Sequence, residues 1–264
     1  MACASFLRRI WCYGVLSLCA SCGGGPGPVP GATQGQTNGA TAAQQSTNWS
    51  GYLQTAPAGS FRTVSGTWTV PAADCSDGAT TASSAWTGIG GSSATDTLLI
   101  QAGTEQDCNG GATDDYAWWE AFPAPAITAG SGLLGGGDFP VRPGDRITVT
   151  VDGSGLVTWK ITIVNATRGW TFTHDVPFLT AGDSAEWILE APTAVGPGQT
   201  GQASLSKFGT ISFSGLTANG ANPGLTPEQR VQLIRAGDGT VLANPSAAHG
   251  GDAFEVCYGA NACD

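Results

Sequence analysis

Gln101, Glu120, Glu186 and Glu190 are side chains suited to proton transfer and carbonyl polarisation, and each has large apolar neighbours. Residues 97–123 read TLLIQAGTEQDCNGGATDDYAWWEAFP: an apolar run, a turn-rich segment with one cysteine, then an aromatic run. In an extended chain alternate side chains share a face. Leu99 then sits with Gln101, and Tyr116, Trp118, Glu120 and Phe122 sit together. Each face mixes bulky apolar groups with one amide or carboxylate, the make-up of a ligand-lining wall. In Ser184-Ala185-Glu186-Trp187-Ile188-Leu189-Glu190 the two glutamates share a face with Ile188, while Trp187 and Leu189 point the other way. Burial lifts a glutamate above its ordinary value of about 4.3 and suits it to proton transfer. An edge strand with solvent-facing glutamates, or a core strand whose glutamine reaches water, gives the same pattern.

Other hydrolytic constellations are missing from the sequence. There is no H-E-x-x-H, and His174 and His249 are the only histidines, so a histidine-rich metal site is excluded. There is no G-x-S-x-G elbow. Gly182-Asp183-Ser184 is followed by Ala185-Glu186, not by a glycine pair, and no Asp-Thr-Gly or Asp-Ser-Gly loop occurs. His174 lies in a threonine-rich strand without a placed partner and reads as structural. With 10 Lys plus Arg against 20 Asp plus Glu, a net charge of −10 leaves no cationic footprint for nucleic acid.

The elements that must position these residues are strands. Residues 61–70, 146–151, 157–163, 170–176, 185–190, 208–213, 230–235 and 254–258 show period-two alternation or β-branched enrichment, with Gly, Pro and Asp between them. The pattern predicts an all-β, two-sheet antiparallel sandwich. One short helix, no longer than two turns, is expected at Thr226-Pro227-Glu228-Gln229, where Thr suits the cap and Pro the first turn. Residues 130–137 form a glycine-rich loop, a slack connection or a flap beside a cleft.

Three segments are expected. Residues 1–22 read as an export signal: Arg8-Arg9, then an uncharged run over 10–20 too short to span a bilayer. Small residues before Cys22 match a bacterial lipoprotein signal except for Cys19, so lipid anchoring through Cys22 at the cell envelope and ordinary secretion both stay open. Residues 23–46, without charge, form a flexible tether, and 47–264 form the folded domain, expected as a monomer. Export places the cysteines beyond the signal in an oxidising compartment. Of three possible pairings, Cys75–Cys108 and Cys257–Cys263 are chosen, because each pair is close in sequence and flanked by turn residues.

Six motifs occur in an order that resembles the glutamic peptidases, the eqolisins. They are Asn48-Trp49-Ser50-Gly51-Tyr52, Val64-x-Gly66-x-Trp68-x-Val70-Pro71, Ala85-Trp86-Thr87-Gly88-Ile89-Gly90-Gly91, Leu99-Ile100-Gln101-Ala102-Gly103, Tyr116-Ala117-Trp118-Trp119-Glu120-Ala121-Phe122-Pro123 and Ala185-Glu186-Trp187-Ile188-Leu189-Glu190. The resemblance covers residues 48–215. It implies a concanavalin-like jelly roll with a concave substrate cleft and acid endopeptidase activity on proteins or peptides without a cofactor. It puts the catalytic glutamine on Gln101, the catalytic glutamate on Glu190, and cleft-lining residues on Trp49, Trp86, Trp118 and Glu120. Glu190 as carboxylate would take a proton from water and pass it to the leaving amine, while Gln101 donates to the oxyanion. Fungal members carry Asp where Gly90 stands and Asp where Tyr116 stands. Two alternatives remain: a lectin-like sugar-binding module, given nine tryptophans, and a catalytically inactive surface relative.

Overall fold

A computed structural model describes residues 43–92, 97–130, 138–153, 155, 157–193, 201–260 and 263. The expected signal, Cys22, most of the tether and the glycine-rich residues 131–137 lie outside the described residues. The strands are β1 (Gln44–Ser46), β2 (Trp49–Thr55), β3 (Thr63–Thr69), β4 (Thr81–Gly90), β5 (Leu99–Asn109), β6 (Ala112–Phe122), β7 (Ile127–Thr128) and β8 (Arg146–Asp152). They continue as β9 (Thr158–Asn165), β10 (Trp170–Pro177), β11 (Ser184–Glu190), β12 (Thr210–Ala218), β13 (Arg230–Ile234), β14 (Val241–Pro245) and β15 (Phe254–Tyr258). Hydrogen bonds run in one path, β10-β9-β8-β3-β12-β15-β14-β13-β2-β11-β4-β5-β6-β7. The path folds over at the β13–β14 hairpin, so that β8 and β9 pack on β4 and β5. The result is an antiparallel β-sandwich in which only β1 pairs parallel, on β13.

Alternation decides which side chains enter the sandwich. Ile147, Val149 and Val151 of β8 and Trp159, Ile161 and Ile163 of β9 are buried, with threonines between them. They meet Ala85, Ile89, Ile100, Ala102, Trp119, Trp187 and Leu189 of the opposite layer in one core. Each such side chain contributes roughly 1.5–3 kcal/mol when withdrawn from water. Buried tryptophans stitch the layers together through polar tips that find acceptors. Trp68 Nε1 donates to Thr104 Oγ1 at 3.0 Å, and Trp187 Nε1 to the Ser65 carbonyl at 2.8 Å.

The layer containing β4, β5 and β11 buries side chains on both faces. Its outer face carries a second buried cluster, Trp86, Leu99, Trp118 and Ile188, with Trp49, Tyr116 and Phe122 packed against it. Two-sided burial explains why all but the first residue of β4 are buried although its sequence, TASSAWTGIG, does not alternate.

Two expectations need correction, and the short helix at Thr226 is borne out. The turn-rich segment after Gln101 is mostly strand: β5 runs to Asn109 and β6 starts at Ala112, joined at Gly110-Gly111. Those glycines have φ of 60° and 88°, the positive values a two-residue hairpin turn requires. Residues 44–46, assigned to the tether, join the sheet through β13, and Gln44 Nε2 donates to the Glu228 carbonyl at 3.1 Å. The short helix is a single 3-10 turn, Pro227–Gln229, with a capping box between Thr226 and Gln229. The structure holds two disulfides, Cys75–Cys108 at the β5–β6 hairpin and Cys257–Cys263 at the chain's end.

Candidate active site

Strand register builds the site. Across β2, β11, β4, β5 and β6 one transverse row reads Leu53, Glu186, Gly88, Gln101, Glu120. The next row on the same face is Gly51, Ile188, Trp86, Gly103, Trp118, and the third is Trp49, Glu190, Ser84, Glu105, Tyr116. Gln101, Glu120, Glu190, Trp49, Trp86 and Trp118 therefore share the outer face. The Trp86–Trp118 row separates Gln101 from Glu190. On a flat sheet, four residues along and two strands across place their Cα atoms about 16 Å apart. Both side chains rise from this one face, Gln101 turned toward Glu120 and Glu190 toward Trp86.

Glu190 is the better-held of the two. Trp86 Nε1 donates to its Oε2 at 2.7 Å, and Asn48 Nδ2 to its Oε1 at 3.3 Å. Trp49 packs edge-on against Trp86, with ring centres 5.2 Å apart. Trp118 Nε1 donates to Ser84 Oγ at 2.9 Å, which fixes the other wall. Gln101 Nε2 donates to Glu120 Oε2 at 2.6 Å, while Gln101 Oε1 is buried without a partner. The contact to Glu120 orients the amide and leaves its carbonyl oxygen able to accept.

The electrostatics run one way. Burial pushes Glu190 up to about 7, against the Trp86 hydrogen bond that favours its charged form, and Glu120's charge adds to the rise. Burial also raises Glu120, opposed by Gln101. Glu105 is pushed up to about 8, first by burial and then by Asp107 beside it. Tyr116, near both acids, is raised by burial and by their charge; its hydroxyl donates to Asp107 Oδ2 at 3.4 Å. Sequence reasoning missed Asn48, Ser84, Glu105 and Asp107 as members of this face. Parity with Gln101 would have found Glu105 and Asp107, had β5 been read as continuous. No group of three or more His, Cys, Asp or Glu placed to hold a metal occurs among the described residues.

The sequence profile described as the peptidase A4 family matches residues 47–258. The chain belongs to that family. It is a glutamic endopeptidase, a hydrolase of peptide bonds. It is 26% identical over 259 residues to aspergillopepsin-2 of Aspergillus niger, covering 88% of this chain and 86% of that one. Among solved structures it resembles scytalido-glutamic peptidase with a transition-state analog inhibitor. There the TM-score is 0.65 at 21% identity, over 80% of this chain and 98% of the other. It also resembles aspergilloglutamic peptidase from Aspergillus niger, with a TM-score of 0.52 at 28% identity, over 67% and 99%.

Proposed function

We propose that this endopeptidase cleaves at acid pH through Gln101 and Glu190, with the substrate lying along the Trp86–Trp118 row between them. The observation that carries this reading is the placement of Glu190: on the same face as Gln101, gripped by Trp86 and Asn48, and pushed up to about 7. The proton inventory differs from the one expected of a carboxylate base. At acid pH Glu190 carries its proton. As water attacks the scissile carbon, Glu190 gives its proton to the carbonyl oxygen and takes one from the water, so a neutral gem-diol forms and Glu190 is neutral again. In the second half Glu190 protonates the amide nitrogen as the C–N bond breaks, and takes a proton back from one hydroxyl. The products are a carboxylic acid and an amine.

Gln101 cannot exchange protons at these pH values. Its amide N–H, oriented by Glu120, donates to the oxygen on which negative charge builds, and its free Oε1 accepts from the attacking water. One placed oxyanion donor is worth about 3 kcal/mol of barrier. Trp49, Trp86 and Trp118 supply apolar area for substrate side chains. No step requires a metal or cofactor. Residues 1–22 direct export in this reading, which the two disulfides fit. Detergent partition of the mature protein separates a lipid on Cys22 from free secretion.

The test is hydrolysis of denatured casein at acid pH in the presence of pepstatin and a chelator. Activity is expected to persist under both, to vanish in Glu190→Gln, and to fall about 100-fold or more in Gln101→Ala with the fold intact. Near wild-type turnover in Glu190→Gln refutes the assignment.

A further inference from the structure

Glu186 has no part in the chemistry above, yet it is the most deeply buried acid among the described residues. It is fully buried, and neither carboxyl oxygen has a hydrogen-bond partner. It sits on the face of β11 that carries Ile188 and Glu190, between Leu53 of β2 and Gly88 of β4. Ser184, two residues before it, is also fully buried with an unpartnered hydroxyl, and Asp183 Oδ1 at the strand's entry is buried and unpartnered. An ionised carboxylate in such a place requires a cation or several donors. Among the described residues neither is supplied: on this face β2 offers Trp49, Gly51 and Leu53, and β4 offers Ser84, Trp86, Gly88 and Gly90. The charged group that bears on Glu186 is the carboxylate of Asp183; Glu190 lies four residues further along β11, and Glu105 and Glu120 lie beyond β4. All are acids.

We propose that Glu186 is a positioning residue that works as a pH latch: as a neutral acid it lets β11 seat between β2 and β4, and its ionisation unseats the strand that carries Glu190. The catalytic consequence rests on the dyad reading; the stability consequence does not. Burial holds Glu186 well above its ordinary value of 4.5; the Ser184 hydroxyl, near it but outside hydrogen-bond geometry, tempers this, and Asp183 adds to it. The folded state therefore binds a proton that the unfolded chain has released. That contribution is complete below the unfolded value and is lost as pH rises through the folded one. Over that window each pH unit costs about a factor of ten in the folded-to-open ratio for this one proton. The enzyme is thus locked in its active form in acid and loses that lock as pH rises through the folded-state ionisation of Glu186.

The experiment incubates wild type and Glu186→Gln at a series of pH values from acid to mildly alkaline. Each sample is then returned to acid pH for a brief activity assay, and β11 amide exchange is followed in parallel. The amide variant is neutral and nearly isosteric. It should keep acid-side kcat/KM within about twofold and move the inactivation midpoint up by about one pH unit or more. Inactivation at the wild-type pH overturns the latch. So does protection of wild type, but not the variant, by calcium chloride, which would make Glu186 a cation ligand. If the variant does not fold, wild-type exchange decides: β11 amides must lose protection at a lower pH than those of β8 and β9, and simultaneous loss overturns the proposal. A failed dyad would show instead as activity in Glu190→Gln at acid pH, where the latch is closed.

Discussion

The hydrogen bond from Trp86 Nε1 to Glu190 Oε2, 2.7 Å long and inside a buried cluster, gives the proposed chemistry its sharpest test. The bond favours the carboxylate over the acid, so removing it must move Glu190 further up from its value of about 7. A hydrogen bond to a charged group is worth roughly 1.5–3 kcal/mol, and one pKa unit corresponds to about 1.4 kcal/mol. Trp86→Phe should therefore raise the ionisation of Glu190 by about one to two units. The assay is kcat/KM against pH for a short peptide, which reports the free enzyme. Initial rates must be taken after rapid transfer from acid, so that slow inactivation does not enter. With the neutral acid as the active form, wild type is flat below about 7 in this group's titration and falls tenfold per unit above it. In Trp86→Phe that descending limb moves to higher pH by the same one to two units. The plateau drops as well, since the smaller ring no longer fills the wall, but a lower plateau does not displace a limb. If Glu190 instead worked as a carboxylate base, the limb near 7 would ascend with pH, and the substitution would lower activity at acid pH by a further 10- to 100-fold. A descending limb that stays in place, or moves down, refutes the role given to Trp86; an ascending limb refutes the proton inventory.

Two further outcomes follow from the fold. Gly90→Asp, which writes in the residue fungal glutamic peptidases carry, should destabilise this chain and leave the pH profile of the surviving enzyme unshifted. Gly90 has φ +92°, and a Cβ there would run into the Leu98 carbonyl and Thr180 Oγ1, which are hydrogen-bonded to each other at 3.1 Å. Backbone strain alone costs about 1–3 kcal/mol, so calorimetry should show the melting point fall by several degrees; an unchanged melting point contradicts the geometry. Removing Cys75–Cys108, which spans 33 residues, should cost about 4 kcal/mol on the chain-entropy account, against about 2 kcal/mol for Cys257–Cys263, which spans 6. Denaturant unfolding of the paired serine variants ranks the two, and the reverse order contradicts the entropy account.

What could be read from the sequence depended on whether one face of a strand met water. In β8 and β9 it does, and Ile147-Thr148-Val149-Thr150-Val151 shows the alternation openly. In β4 both faces are buried, so the strand was legible only as the motif around Trp86. The second half of β5 was misread because Glu105, Gln106 and Asp107 look like loop residues. Glu105 in fact faces the cleft, while Gln106 points into the sandwich and is fully buried. The membership of Gln101 and Glu190 on one face follows from parity within each strand plus the register between strands. Only parity is written locally; register comes from pairings such as Gly88 with Gln101 and Ser84 with Glu190, which no single segment encodes. Asn48 as a partner of Glu190 lies 142 residues away from it in the chain and leaves no local signal.

The distribution of charge gives these observations a common cause. On the outer face of β2, β11, β4, β5 and β6 there are several carboxyls and no Lys, Arg or His. The ion pairs of the described residues lie elsewhere, at Lys160–Asp175, Arg168–Asp145, Lys207–Asp77 and Arg235–Asp238. Asp145 shows what a base does: burial pushes it up, but Arg168, Asn165 and the Arg142 backbone amide outweigh that and hold it below the ordinary value. Without any such base, Glu105, Glu120, Glu186 and Glu190 are all raised, by burial in each case, with Glu190 adding to the rise of Glu105 and Glu120 to that of Glu190. A cleft built this way is nearly neutral in acid and gathers negative charge as pH rises. On the proposed chemistry and latch, acid pH does three things through one property: it protonates Glu190, removes the repulsion that acidic substrate side chains would meet, and keeps β11 seated. Replacing Glu120 by a base would remove one charge that raises Glu190 and pull its ionisation downward, so on the proposed chemistry the acid range belongs to Glu190 together with its neighbour and not to Glu190 alone.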